Sequence, residues 1–150
     1  MAQSLSKIYV HIIFSTKNRV NFISDDLVPE LYSYLAGIIK AYDCNILKIG
    51  GMPNHIHILC VLSRKYSLSK LMEEIKKSSS KWIKTKAKNL CKFSWQNGYG
   101  AFSISQSQIE IAKKYIENQK EHHKQISFKD ELVKLLQKYE IDYDEKYLWD

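Results

Sequence analysis

Residues 44–62 read CNILKIGGMPNHIHILCVL, and this stretch decides the fold. Residues 44–49 and 55–62 are short runs rich in β-branched and other apolar side chains, which predicts two strands. Between them, residues 50–54 (GGMPN) are dense in turn-forming amino acids. The pattern therefore predicts an antiparallel hairpin.

The second strand of this hairpin carries two histidines that share one face of the sheet. Side chains alternate along a strand, so His55 and His57 point to the same side as Leu59 and Val61. Two imidazoles on a rigid strand are well placed to share one cation, because histidine is the commonest protein ligand for metals. The alternative is a pair of half-buried histidines that are hydrogen-bonded to their neighbours.

The segments around the hairpin complete an α+β pattern of one domain, residues 1–150. We predict strands at residues 8–14 and 101–104, and helices at about 27–40, from 67 to beyond 83, at 107–124 and from 127 onward. The order β-α-β-β-α-β-α-α fits a ferredoxin-like sandwich, with an antiparallel sheet and helices mainly on one face.

The predicted helix 107–124 carries a polar stripe. Ser107 and Glu110 have the spacing of a capping box, which would start the helix. Tyr115 and Gln119 lie one turn apart on the same face, and His122 lies near that face. If the stripe faces the strand histidines, the group forms a metal-assisted site. Tyr115 can then act as a nucleophile toward a cation-shielded phosphate, and Gln119 can supply an oxygen ligand.

The positive charge of the chain is concentrated in one segment. The 150 residues contain 23 Lys and Arg against 16 Asp and Glu, a formal net charge of +7. Residues 64–92 alone hold ten basic side chains against two glutamates, so this segment carries more than the whole surplus. The ordinary explanation is a solvated helix face, but the density of lysines favours a surface that contacts phosphates.

Several function classes are disfavoured by what the sequence lacks. Residues 1–7 do not resemble a signal peptide, and no apolar run approaches the length of a membrane span. The three cysteines are scattered without metal-ligand spacing, which is typical of a reducing compartment. We therefore expect a cytoplasmic protein that associates with the nucleoid when it is on DNA.

The motifs together resemble those of the HUH single-tyrosine transposases of small bacterial and archaeal insertion sequences, which act on single-stranded DNA. "HUH" stands for His, bulky hydrophobe, His, and His55-Ile56-His57 matches it. The matching blocks span nearly the whole chain in family order: residues 14–19 (FSTKNR), 50–57 (GGMPNHIH), 95–103 (WQNGYGAFS), 115–119 (YIENQ) and 143–149 (YDEKYLW).

The resemblance implies specific roles for the polar residues. A divalent ion, Mg²⁺ or Mn²⁺, would be held by His55, His57 and Gln119, and Mn²⁺ suits mixed nitrogen and oxygen ligands better than Mg²⁺ does. Tyr115 would attack a backbone phosphate and form a 5′-phosphotyrosine link with a free 3′-OH. A 3′-OH from another strand would then attack that link and rejoin the DNA, so no ATP is needed.

The remaining histidines have lesser expected roles. His122 is the second choice as a metal ligand, should Gln119 not serve. His11 lies on the first predicted strand and is expected to be structural. His123 is expected to be structural or exposed to solvent.

The resemblance also implies DNA hairpins as partners and a homodimer, possibly with each tyrosine helix completing the site of the other subunit. Trp82, Trp95 or Tyr99 could stack on unpaired bases. The residues expected to contact the DNA backbone are Lys17, Arg19, Lys76, Lys77, Lys81, Lys84, Lys86 and Lys88.

Two other functions compete with strand transfer. A domesticated relative could bind DNA hairpins without transposition activity, although His55, His57, Tyr115 and Gln119 are all present. A metal-binding domain that does not bind DNA is disfavoured by the basic segment.

Overall fold

A four-stranded antiparallel sheet forms the centre of the molecule. The computed structural model describes residues 2–149, so Met1 and Asp150, the ends of the predicted domain, lie outside it. Neighbouring strands follow the order β2-β3-β1-β4. This order confirms the predicted ferredoxin-like α+β arrangement. The strands are β1 (Tyr9–Ser15), β2 (Asn45–Met52), β3 (His55–Val61) and β4 (Gly100–Ile104).

Helices cover both faces of this sheet. One face carries the two longest helices, α1 (Val28–Ala41) and α2 (Leu68–Lys84). The prediction of helices mainly on one face holds for these two, but three further helices lie on the opposite face: α3 (Ile109–Glu117), α4 (Gln119–His122) and α5 (Phe128–Lys138). A last short helix, α6, spans Glu145–Leu148. No helix within residues 2–149 is long and apolar enough to cross a membrane.

The face beneath α1 and α2 is a continuous apolar core, which we call the apolar face. Each fully buried aliphatic side chain contributes about 1.5–3 kcal/mol through the removal of its surface from water. This face therefore supplies much of the stability. Its buried members include Val10, Ile12, Phe14, Ile56, Ile58 and Cys60 of the sheet, with Leu31, Leu35, Ile39, Leu71, Met72 and Ile75 of the helices.

The opposite face, which we call the polar face, has two small apolar clusters instead of one. α3 packs Ile109 and Ile116 against Tyr9 and Leu59. α5 packs Phe128 and Leu136 against Ile13 and Phe102. The histidines of the sheet belong to neither cluster, although they are buried on the same face. The polar face thus leaves room for a buried polar site.

β2 is longer than its sequence pattern predicted, and its added residues lie beside α3. The strand runs on to Met52, so Gly50 and Gly51 pair with β3 and the turn shrinks to residues 53–54. A Cβ on Gly50 would lie only 2.5 Å from the backbone oxygen of Ile116. Gly50 therefore lets α3 approach the sheet backbone closely, and this approach sets the position of the residues that α3 carries.

The predicted helix 107–124 is divided into two helices. Ser107 lies in a short 3₁₀ turn, Gln106–Gln108, and the residue before α3 makes no side-chain cap, so the predicted capping box does not form. Asn118 separates α3 from α4, with φ of −93° and ψ of 22°. The helix is interrupted there, but the polar stripe stays on the sheet side, as the contacts below show.

Candidate active site

The strand histidines lie together on the polar face, as their period-two spacing predicts. His55 and His57 are completely buried. His57 Nδ1 lies 2.8 Å from His11 Nε2 on β1, and His55 Nδ1 lies 2.8 Å from Asn54 Oδ1. These contacts orient both rings so that their Nε2 atoms face the helices, as outer partners of metal-binding histidines commonly do. His11 therefore has a structural role, because its hydrogen bond fixes the orientation of the His57 ring.

Tyr115 and Gln119 reach the histidines from α3 and α4 of the same chain. Gln119 Oε1 lies 2.9 Å from His55 Nε2, and the Tyr115 ring centre lies 5.7 Å from that of His57. The break at Asn118 does not separate the two side chains, because Gln119 Nε2 lies 3.4 Å from the backbone oxygen of Tyr115. A single chain therefore brings together all four residues predicted to form the catalytic centre.

Glu131 of α5 lies at the middle of this group, and the sequence patterns did not single it out. Its side chain is only 1% exposed. One carboxylate oxygen, Oε1, lies 3.2 Å from His57 Nε2 and 3.3 Å from His55 Nε2. The other, Oε2, accepts hydrogen bonds from the Tyr115 hydroxyl and, at 3.0 Å, from Gln119 Nε2.

His122 and His123 both border the site. His122 is partly exposed, and its Nε2 lies 3.4 Å from the Tyr115 hydroxyl and 3.3 Å from Glu131 Oε2. His123 is the more deeply placed of the two, with Nε2 3.0 Å from Gln119 Oε1 and 3.1 Å from Glu131 Oε1. Of the two roles expected for His123, structural or exposed to solvent, its burial and these contacts favour the structural one.

Burial and the charge of Glu131 set the protonation of the site. Burial lowers the pKa of His57, and it lowers the pKa of His11 to about 3, with a further contribution from His57. Burial also raises the pKa of Tyr115 well above its usual value, and Glu131 raises it further. For Glu131 burial acts in the raising direction, but hydrogen bonds from His55 and His57 hold its pKa well below the usual range. The site thus combines neutral imidazoles at His11 and His57, a protonated Tyr115 and a carboxylate at Glu131.

The atoms of the site fit a cation. His55 Nδ1 faces the Asn54 oxygen, and His55 Nε2 lies 2.9 Å from Gln119 Oε1 and 3.3 Å from Glu131 Oε1. The orientation of the Gln119 amide is set by its nitrogen, which donates to Glu131 Oε2. Imidazole nitrogens and side-chain oxygens, which are both common metal ligands, thus lie at hydrogen-bond separation from one another. His55, His57 and Glu131 offer ligand atoms that all lie within 4.8 Å of each other.

Two of the predicted DNA-contacting residues are engaged within the protein. Lys76 is partly buried, and its amine donates to the backbone oxygens of Gln96, at 2.7 Å, and Gly98. Burial lowers the pKa of Lys76 to about 8. Arg19 donates to Gln96 Oε1 at 2.7 Å. Lys76 and Arg19 therefore anchor the loop that contains Gln96, and Lys76 is left out of the DNA contacts proposed below.

The other predicted DNA contacts are exposed. Lys17 follows β1 at the end of the sheet where Ser15 pairs with His55. Lys86 lies 3.4 Å from Glu30 and over the ring of Trp82. Within residues 2–149 no carboxylate lies within 4.0 Å of the amines of the remaining four lysines, which are Lys77, Lys81, Lys84 and Lys88.

The three aromatic residues expected to stack on bases differ in exposure. Trp95 is buried against Phe14 and Phe93, so its predicted role in stacking is wrong. Trp82 is partly buried and stacks on Tyr34 at 4.8 Å. Tyr99 is 41% exposed and remains available to a ligand.

Tyr115 lines two separate cavities. One, of about 470 Å³, lies between β4, α3 and α5 and is bordered by His11, Gln108 and Lys138. The other, of about 560 Å³, is bordered by Asn118, His122 and Lys134. Both are within the size range of small-ligand sites in proteins. The tyrosine is therefore accessible although its hydroxyl is held by Glu131.

Glu131 was missed because its partners come from distant parts of the chain. A signal was nevertheless present, since Glu131 occupies the 3–4 spacing of apolar residues between Phe128 and Leu135 in α5. A carboxylate on the apolar face of an amphipathic helix is seldom buried without a partner. That position marked it as a candidate for a buried polar role.

Comparisons with known proteins agree with this arrangement. The family model described as "Transposase IS200 like" matches residues 4–119. A candidate transposase from Deinococcus radiodurans R1 has a similar structure, with a TM-score of 0.62 and 20% identity over 79% of this chain and 98% of that one. A REP-associated tyrosine transposase bound to a REP hairpin is similar with a TM-score of 0.61 and 17% identity, over 82% of this chain and 74% of that one.

At these identities the two structures show likeness of fold alone. No protein with a curated description matches the chain. The family model, however, covers more than three quarters of the sequence, including His55, His57, Tyr115 and Gln119. The chain belongs to the IS200-like transposase family.

Proposed function

We propose that this protein cleaves and rejoins single-stranded DNA at the ends of an insertion sequence through a covalent link to Tyr115. The observation that carries the proposal is the convergence of Tyr115, His55, His57 and Gln119 in one buried site of a single chain. The family match supports transposition as the process that this chemistry serves.

The covalent step follows from the position of the tyrosine. The Tyr115 oxygen attacks a backbone phosphorus, a new O–P bond forms and the bond from phosphorus to the 3′-oxygen breaks. The DNA is left with a 5′-phosphate on Tyr115 and a free 3′-OH. The proton lost by Tyr115 is balanced by the one that the leaving 3′-oxygen gains. The link conserves the phosphodiester, so a second 3′-OH can reverse the step on another strand.

His55, His57 and Gln119 are proposed to hold a divalent cation, Mg²⁺ or Mn²⁺. When bound, such a cation polarises the phosphate and stabilises the charge that develops in the transition state. Burial keeps His57 neutral, so that its Nε2 could bind the cation in the tautomer with the proton on Nδ1, and the contact with His11 fixes the orientation of the ring. Gln119 supplies an oxygen from the opposite side of the site.

The DNA is proposed to reach Tyr115 through the two cavities that this residue lines. A scissile phosphate has a nucleotide on each side, and each cavity can take one. Lys17 and Arg19 follow the strand that ends beside His55, so they are proposed to contact the DNA near the site. The exposed lysines Lys77, Lys81, Lys84, Lys86 and Lys88 would contact the backbone of a hairpin. This single domain would act on DNA in the cytoplasm.

A cleavage assay tests the proposal. Single-stranded oligonucleotides from both flanks of the gene are incubated with the protein and Mn²⁺ or Mg²⁺, and covalent adducts are separated on a denaturing gel. We expect an adduct that is absent in EDTA and in Tyr115→Phe, while the exposed-tyrosine control Tyr143→Phe forms it normally. If hairpins bind but no adduct forms with either flank, the protein is a hairpin-binding module instead.

We also propose that Tyr115 acts within its own subunit of a homodimer. In support, its hydroxyl already contacts Glu131 beside the histidines of the same chain. Mixing Tyr115→Phe with His57→Gln protein separates the alternatives. Restored cleavage in the mixture would mean that the tyrosine acts in the partner's site, whereas an inactive mixture supports action in cis.

A further inference from the structure

The position of Glu131 suggests a role that the predicted ligand set does not contain. The residue lies in the first turn of α5, where Ser127 caps the helix by accepting from the Asp130 backbone N–H. Phe128 and Leu136 fix the helix against Ile13 and Phe102. Glu131 also lies beyond residues 4–119, the region that the family model matches. Glu131 is thus positioned by α5, a helix outside the region that the family model matches.

The two carboxylate oxygens face different halves of the site. Oε1 faces the imidazoles, at 3.2 Å from His57 Nε2 and 3.3 Å from His55 Nε2. Oε2 faces the nucleophile side, where it accepts from the Tyr115 hydroxyl and from Gln119. One side chain thus spans the distance between the cation-binding atoms and the tyrosine.

The carboxylate has no fixed positive partner. Among the described residues, no lysine or arginine nitrogen lies within 4.0 Å of Glu131, and every ion-pair partner is a histidine. Burial of a carboxylate without a permanent countercharge is strongly unfavourable. A divalent cation between the imidazoles and Oε1 would supply that charge.

We propose that Glu131 is a fourth protein ligand of the cation and that it bridges the cation to the nucleophile. Oε1 binds the ion with His55, His57 and Gln119, while Oε2 keeps the Tyr115 hydroxyl beside it. This inference rests on the proposed function, since it assigns a further ligand to the same site. Two nitrogen and two oxygen ligands, one of them charged, favour Mn²⁺ over Mg²⁺, which prefers an all-oxygen shell.

Calorimetric titration with Mn²⁺ tests the assignment without any DNA. The wild-type chain is compared with Glu131→Gln and with Glu121→Gln, a matched change at an exposed glutamate of α4. We expect Glu131→Gln to bind Mn²⁺ at least about tenfold more weakly. Glu121→Gln should bind within about twofold of the wild type.

The direction in which Glu131→Gln changes the Mn²⁺ affinity shows whether Glu131 binds the ion or only occupies the empty site. If Glu131 only fills the site in the absence of metal, Glu131→Gln will bind Mn²⁺ as tightly as the wild type or more tightly, which would overturn the proposal. Thermal unfolding in EDTA establishes that the variants are folded. Should Glu131→Gln not fold, Glu131→Asp replaces it, because the shorter carboxylate cannot span both groups. An unchanged Mn²⁺ affinity in Glu131→Asp would be equally contradictory.

The bridging role has its own readout. At saturating Mn²⁺, Glu131→Gln should cleave an oligonucleotide substrate of the wild type about 10²-fold more slowly, with hairpin affinity unchanged. Equal cleavage rates would exclude the bridge. If the wild type itself binds no Mn²⁺, the proposed cation site fails, whereas equal binding by wild type and Glu131→Gln removes only the role of Glu131.

Discussion

The two faces of the sheet are built from the same strands but differ in what they bury. On β3, Ile56, Ile58 and Cys60 enter one continuous apolar core, whereas His55 and His57 enter a buried group of hydrogen-bonded polar side chains. The apolar face is covered by two long helices and the polar face by three short ones.

This difference teaches how a small domain can separate stability from chemistry. Successive side chains of a strand point to opposite faces of the sheet. A substitution at one position should therefore change the packing of the apolar core, and a substitution at the next should change the polar site. Short helices from distant parts of the chain can then bring several polar groups to one point on the polar face. The apolar face provides the rigid support that such a site requires.

The largest effect should come from a truncation on the apolar face. Ile58 is fully buried, so Ile58→Ala should lower the free energy of unfolding by about 2–5 kcal/mol. Denaturant unfolding in EDTA measures this change. The Mn²⁺ affinity of the folded variant should stay near that of the wild type. A loss below about 1 kcal/mol, or a large loss of Mn²⁺ affinity, would mean that the faces are not independent.

A smaller effect is expected on the polar face, where Mn²⁺ binding should raise the free energy of unfolding. Mn²⁺ at about 100 times its Kd should stabilise the wild type by about 2.7 kcal/mol, because it binds the folded state alone. His57→Gln should remove this stabilisation, whereas the apolar-face change Ile58→Val should retain it. Thermal unfolding with and without Mn²⁺ gives both values. Stabilisation that persists in His57→Gln would place the ion elsewhere.

The close contact between β2 and α3 links the sheet to the helix that carries Tyr115. Gly50→Ala places a Cβ 2.5 Å from the Ile116 backbone oxygen, so α3 must shift. We expect a loss of about 1–3 kcal/mol in unfolding free energy and slower adduct formation by Tyr115. Gly37 of α1 is the matched control, since a Cβ there meets nothing within 4 Å. Gly37→Ala should stabilise the fold by about 0.4–1 kcal/mol. Normal stability in Gly50→Ala would show that α3 is not held by this contact.

The smallest effect concerns DNA binding by α2, whose outer surface lies away from the site. Lys77 is exposed, whereas the neighbouring amine of Lys76 donates to backbone oxygens. Lys77→Ala should lower the slope of log affinity against log salt concentration by about 1 for a hairpin oligonucleotide. Lys76→Ala should leave the slope unchanged and lower stability by about 1 kcal/mol instead. If Lys77→Ala and Lys76→Ala both kept the slope of the wild type, the proposal that Lys77 of α2 contacts the DNA would be contradicted.

Much of the polar face could be predicted from local patterns. The alternation in β3 gave the shared face of His55 and His57, and helical spacing gave the pairing of Tyr115 with Gln119. These features depend on backbone geometry, which sequence spacing reports directly. The order of elements similarly indicated the ferredoxin-like sheet.

The features that were missed depend on contacts between distant segments. Glu131 meets His57 across 74 positions of sequence, and no local pattern encodes that approach. Ser107 and Glu110 have the spacing of a capping box, but the chain forms a 3₁₀ turn there instead. The sequence pattern does not distinguish Lys76 from the exposed lysines of α2, because its amine is bound by backbone oxygens of Gln96 and Gly98, about 20 residues away.

The measurement that tests the central claim most directly is identification of the residue that becomes linked to DNA. The wild-type protein is incubated with Mn²⁺ and a single-stranded oligonucleotide from the gene's flank, digested, and the modified peptide is sequenced by mass spectrometry. We predict one modified peptide, with the 5′-phosphate of the cleaved strand on Tyr115. An adduct on any other residue, or one that persists in Tyr115→Phe, would contradict the assignment of the polar face as the catalytic site.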